Sequence, residues 1–192
     1  MRCSNKENRK KDTGLYNNGM NKVQLFHVSE EPNIRQFEPR PSRFTEKPVV
    51  WAVAEARLHN YLLPRNCPRV TYYALPDSSP EDVARYLGSS QIVVAVEGKW
   101  LSALRECVLT LYHMPTTGFR VLDEGAGHWV CTNSVTPIAT TTITNCLEEL
   151  VSRQIEIRIL PELWTLRDAI LASTLQFSFI RMRNAQPRTI DD

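Results

Sequence analysis

The chain has 192 residues, 42% of them hydrophobic and 23% charged, with a formal net charge of +2. That length and balance fit one soluble domain with enough apolar content for a substantial core. No apolar run reaches the ~18–20 residues that a membrane-spanning helix needs, so a membrane protein is excluded and a cytoplasmic one expected.

The charge is unevenly spread. Residues 1–22 carry six Lys or Arg against two acids, a surplus of four, so the rest of the chain sums to a deficit of two. A nearly neutral body excludes nucleic-acid binding through bulk charge. The first 22 residues have almost no apolar content and are expected to be a disordered basic extension. They are a candidate nucleic-acid arm, or an upstream extension with Met20 as an alternative start. The five cysteines are odd in number, widely spaced and never arranged as CxxC. That pattern argues against a disulfide framework and against a zinc site, so no metal is expected.

In chain order, Val23 to Val28 reads as a strand. Ser29-Glu30-Glu31-Pro32 then reads as a turn into one helical turn around Ile34 and Phe37, and Pro39, Pro41 and Pro48 make an irregular loop. Val49–Val53 is a short apolar strand running into a helix over Glu55–Leu62. The next residues, Pro64-Arg65-Asn66-Cys67-Pro68-Arg69, form a stiff corner. Val70–Ala74 is β-branched and aromatic, hence a strand. Ser79 can cap a helix from Pro80 to Leu87 that stops at Gly88. Ile92–Val96 is the most hydrophobic strand and is expected at the centre of its sheet.

A short helix over Trp100–Cys107 follows, then extended segments at Val108–Met114, Phe119–Leu122 and His128–Cys131. Thr140–Arg153 shows helical spacing, and Ile155, Ile157 and Ile159 alternate as a half-buried strand. Pro161 to Met182 reads as one long element, apolar on a broad face. The expected architecture is α+β, a mixed and largely antiparallel sheet with flanking helices, since regular βαβ alternation and a glycine fingerprint are both absent. Residues 23–185 form a single domain and 186–192 a frayed tail.

Several residues could carry chemistry. His27, on the first strand and followed by Ser29, could donate a hydrogen bond to a ribose; a satisfied, partly buried histidine is the plain alternative. Arg40, Arg57, Arg65 and Arg69 could grip phosphate with their forked guanidiniums, or pair with Glu30, Glu31, Glu38 and Glu55. Glu124, on the glycine-bearing Asp123–His128 loop, could polarise a hydroxyl or act as a base. Cys67 lies between arginines that could lower its pKa, with His27, His113 or His128 as a partner. Tyr61, Tyr72, Tyr73, Trp51 and Trp129 could stack on a base or simply pack. Arg181 to Asn184 read as packing.

The segments LFHVSEEPNIRQFEPRP, VVWAVAEARLHNYLLPRNCPRV and LPELWTLRDAILASTLQFSFIRMRNA resemble a family of small bacterial proteins known only as a domain of unknown function. More distantly, Phe26-His27-Val28-Ser29, Phe37-Glu38-Pro39-Arg40 and Val50-Trp51-Ala52 follow an order similar to that of the ADP-ribosyltransferase-like fold. That fold includes rifampicin-modifying enzymes and RNA 2′-phosphotransferases, in which a first-strand histidine holds the NAD ribose. Val28 stands where those families carry glycine. The resemblance implies an NAD cofactor held by His27, Tyr61 as a stacking ring, and Glu124 as the acid that stabilises an oxocarbenium-like transition state. A nucleotide cleft lined by His27, Arg40, Tyr61, Arg65 and Arg69 is therefore expected, with ribosyl transfer as its reaction. A non-enzymatic interaction or nucleic-acid-associated protein is the alternative.

Overall fold

The structure is a computed structural model, and it describes residues 23–188. Ten strands and four short helices build an α+β fold: β1 Leu25–Ser29, β2 Val50–Ala54, β3 Arg69–Tyr73, α1 Pro80–Asp82, β4 Ile92–Glu97, α2 Leu101–Glu106, β5 Leu109–Met114, β6 Arg120–Asp123, β7 His128–Cys131, β8 Ala139–Ile143, α3 Cys146–Ser152, β9 Glu156–Leu160, α4 Trp164–Ala172 and β10 Gln176–Ile180. Two sheets take the place of the one expected. The first runs β6-β7-β2-β1-β5-β8, and the second runs β10-β3-β4-β9. Every pairing is antiparallel except that of β4 with β9. No helix among the described residues is long and apolar enough to cross a membrane.

Side-chain alternation divides each sheet into two faces. Phe26, Val53 and Leu111 of the first sheet share one buried cluster with Val94 and Val96 of the second, and Leu58, Leu62 and Leu63 enter it from the β2–β3 connection. The opposite face of the first sheet buries Leu25, Ala52 and Tyr112 under Phe37 and Val135. Val70, Tyr72 and Val93 on the far side of the second sheet pack against Leu163 and Ile170 of the α4 region. The strands β3 and β4, sealed on both faces, read in sequence as apolar, aromatic or β-branched apart from Arg69 at the start of one and Glu97 at the end of the other.

Four local expectations need correction. Glu55–Asn60 is a 3₁₀ helix, not an α-helix. Residues 30–36 form no helical turn: Asn33 has φ 65, and Phe37 makes a β-bridge with Val135. The segment read as a helix from Thr140 is a strand up to Ile143, because three successive β-branched threonines lose little in an extended backbone. Its helix starts only after Asn145, whose side chain accepts the Glu148 N–H at 3.1 Å. The long C-terminal element also divides. Its helix stops at Ala172, and the period-2 run Gln-Phe-Ser-Phe-Ile forms β10, with Phe177 and Phe179 stacked 4.4 Å apart on one face.

The helix after Ser79 starts as its sequence suggests. Ser79 Oγ accepts the Asp82 N–H at 3.1 Å and Pro80 opens the first turn. It then widens into a π turn over Val83–Leu87, which Gly88 ends in a left-handed backbone with φ 59.

Candidate functional site

The site begins where two neighbouring strands part. Strand β1 pairs with β5 along all five of its residues, but with β2 only at Leu25↔Ala54 and Phe26↔Val53. Beyond Phe26 the ladder is open, and the His27 ring packs on Phe37 at 4.6 Å with its Nδ1 2.9 Å from the Trp51 carbonyl. A carbonyl only accepts, so Nδ1 carries the proton of the neutral ring and Nε2 is left as an acceptor. Burial holds the His27 pKa below the ordinary imidazole value; the Trp51 carbonyl opposes that shift, and the Arg65 and Arg40 cations add to it. His27 therefore presents a hydrogen-bond acceptor at neutral pH, where sequence reasoning had it donate.

Arg40 and Arg65 are near enough to His27 for their charge to lower its pKa. Arg40 is held by a two-way backbone bridge to Val49, each N–H···O at 3.0 Å, directly before β2. Arg65 sits on the Pro-bounded corner, where the Glu30 carboxylate accepts its backbone N–H at 2.8 Å. Neither guanidinium has an ion-pair partner among the described residues.

Arg69 is different. It is 3% exposed and turns inward, donating to the Cys67 carbonyl at 2.9 Å and the Pro64 carbonyl at 3.3 Å. Burial lowers its pKa to about 10, so it remains a cation at neutral pH. Its role is to brace the corner that carries Arg65.

A group of aromatic rings lies on the face of β2 that carries Val53, whereas His27 stacks on Phe37 over the other face. Trp51 meets His128 edge-on with ring centroids 5.4 Å apart, and the Tyr61 hydroxyl lies 2.6 Å from His128 Nε2. Phe44 packs edge-on against Trp51 at 6.3 Å. Burial lowers the His128 pKa, and Asp123, opposite it in the β6–β7 ladder, partly restores it.

Glu124 is not brought to His27. It is exposed on the β6–β7 turn, beside an open depression of about 230 Å³ that Val23, Val121 and Trp129 also line. That turn is tied to the second sheet instead: the Gly125 carbonyl accepts from Arg57 Nε at 3.0 Å and from the Tyr73 hydroxyl at 3.4 Å. Arg57 also lies over the Tyr73 ring at 4.1 Å, so it serves the join between the sheets.

Cys67 is no activated thiol. It is fully buried, and burial outweighs the nearby Arg69 cation, pushing its pKa up to about 12. The candidate nucleic-acid arm, residues 1–22, lies outside the described residues.

Sequence reasoning missed the C-terminal contribution. Arg181 Nε donates to the Arg65 carbonyl at 3.1 Å, and Asn184 Nδ2 donates to the Asn66 carbonyl at 2.7 Å. The signal was the Phe177/Phe179 alternation, which identifies a strand; a strand end delivers these residues to the corner, whereas a continuous helix would not. Further on, Glu97 Oε1 accepts the Gln186 N–H at 2.8 Å, tethering the start of what had been read as a frayed tail.

No curated protein and no solved structure matches the chain. A family model matches residues 26–185, and the chain belongs to that family, DUF6886, a family of unknown function.

Proposed function

We propose that the cleft at the parting of β1 and β2 binds a nucleotide of the NAD type. The observation that carries this reading is a neutral imidazole whose Nε2 is left to accept, within electrostatic reach of two guanidiniums that have no ion-pair partner among the described residues. An acceptor nitrogen suits a ribose hydroxyl, and forked cations suit phosphate oxygens. The Trp51, Tyr61 and His128 rings stand at 57° and 88° across their two contacts, so a base or nicotinamide would use a single ring face. The order of the His27, Arg40 and Trp51 segments, similar to that of ADP-ribosyltransferase-like enzymes, supports the same ligand class.

Calorimetry with NAD and ADP-ribose tests the proposal. Wild type binds, and His27→Ala and Arg65→Ala each weaken binding by about tenfold or more. No heat with wild type, or equal affinity in all three proteins, overturns it. Ribosyl transfer is the reaction such a site would serve, and it needs a carboxylate at the reacting ribose. Nicotinamide release from NAD, compared between wild type, Glu124→Gln and Asp123→Asn, tests both the reaction and the acid.

A further inference from the structure

Beyond Arg65 the cationic surface continues onto the C-terminal segment. Strand β10 ends at Ile180, paired with Arg69, and Arg181 then adopts a left-handed backbone with φ 55 and ψ 27. A non-glycine residue holds that conformation at a cost, and such positions gather at functional sites. The bend brings the Arg181 side chain back to the corner, where Nε is used on the Arg65 carbonyl. Arg181 is also close enough to Arg69 to lower its basicity. Arg65, Arg69 and Arg181 thus converge on one corner, and none has an ion-pair partner among the described residues. Like charges gathered at one corner repel one another; the Glu30 carboxylate on the Arg65 N–H offsets part of that repulsion, and a bound anion relieves more of it.

Arg69 is buried and donates through Nη1 to the corner itself, so its role is structural. Arg181 commits only Nε, which leaves its two terminal nitrogens free to grip an anion. Arg65 is within electrostatic reach of the neutral His27 ring, and its carbonyl accepts from Arg181. We infer that Arg181 is a specificity-determining residue that takes the second phosphoryl group of a diphosphate. The site then prefers nucleoside diphosphates and diphosphate-bridged dinucleotides over monophosphates. This rests on the nucleotide-binding reading above and narrows it.

The test measures AMP and ADP affinities by calorimetry for wild type, Arg181→Gly and Asn184→Ala. Glycine suits the left-handed backbone, so Arg181→Gly removes the guanidinium without adding strain. Wild type binds ADP about tenfold more tightly than AMP. Arg181→Gly loses that preference while its AMP affinity stays within about twofold of wild type, and Asn184→Ala, which removes only the neighbouring neutral bond, keeps it. Equal affinity for the two nucleotides in wild type, or an undiminished preference in Arg181→Gly, overturns the inference and leaves nucleotide binding standing. Failure of both nucleotides to bind wild type overturns the nucleotide reading itself and this inference with it.

Discussion

The Tyr61 hydroxyl and His128 Nε2, 67 positions apart in the chain, share a 2.6 Å hydrogen bond. It ties the connection leaving β2 to the strand paired on β2's other side, and so fixes the group of aromatic rings. Tyr61→Phe keeps the ring and loses the bond, at an expected cost of about 1 kcal/mol. Urea denaturation measures the loss; unchanged stability would mean that the contact contributes nothing to the fold.

Acid should destabilise the protein through its histidines before its carboxylates titrate. His59 is 4% exposed, and burial together with the Arg57 and Arg153 cations lowers its pKa to about 4. His27 and His128 are shifted in the same direction. With folded pKa values below the unfolded 6.5, the unfolded chain binds more protons as pH falls. The stabilising contribution is complete above pH ~6.5 and declines towards the folded values, by about 3 kcal/mol for His59 alone. Urea titrations at pH 7.5, 6 and 5 should show a steady decrease, flatter in His59→Leu. A pH-independent midpoint would contradict this account.

Arg69 braces the corner through two backbone carbonyls and cannot be replaced by a shorter cation. Arg69→Lys should cost about 2–4 kcal/mol, because the shorter side chain leaves a buried ammonium short of the two carbonyls that Nη1 reaches. Thermal melting checks it, and a loss below about 0.5 kcal/mol would assign the bracing to other contacts.

Gly127 has φ 66, and an added Cβ would lie 2.7 Å from Arg57 Cγ and 2.9 Å from Arg57 Cβ. Gly127→Ala should therefore lose about 1–3 kcal/mol through strain and displacement of Arg57. Gly98→Ala is the matched control: its nearest neighbour would be Ile159 Cγ2 at 3.6 Å, ordinary contact, and its backbone is not left-handed. Equal melting temperatures for the two variants would refute the close approach.

Thiol labelling near neutral pH should rank the four described cysteines by exposure. Cys107 is half-buried and should react first, whereas Cys67 and Cys146, with pKa values pushed up to about 12, should wait for unfolding. Rapid labelling of Cys67 in the native protein would revive the nucleophile that burial argues against.

Much of this was legible because local patterns agreed with the fold. The Ser79-Pro80 start, the sealed Ile92–Glu97 strand and the His128–Cys131 strand all follow from capping, apolar runs and β-branching. Where helical and extended periodicities overlapped, the helical one misled: Ile143 and Cys146 fit one helix face on paper, yet the threonines before them favour an extended chain. That Arg40 and Arg65 lie within electrostatic reach of His27 could be guessed from motif order. The role of Arg181 could not, because it depends on β10 pairing beside β3 across more than a hundred residues of sequence. Nor could the position of Glu124, which follows from a turn fastened to Arg57 and Tyr73.

The corner at Arg65 is fastened from two directions. A carboxylate just past the end of β1 takes its N–H, and a guanidinium just past the end of β10 takes its carbonyl. One residue is thus gripped by both layers of the molecule. Any shear between those layers would pull it from opposite ends, so the Arg65 corner registers how the two sheets are aligned.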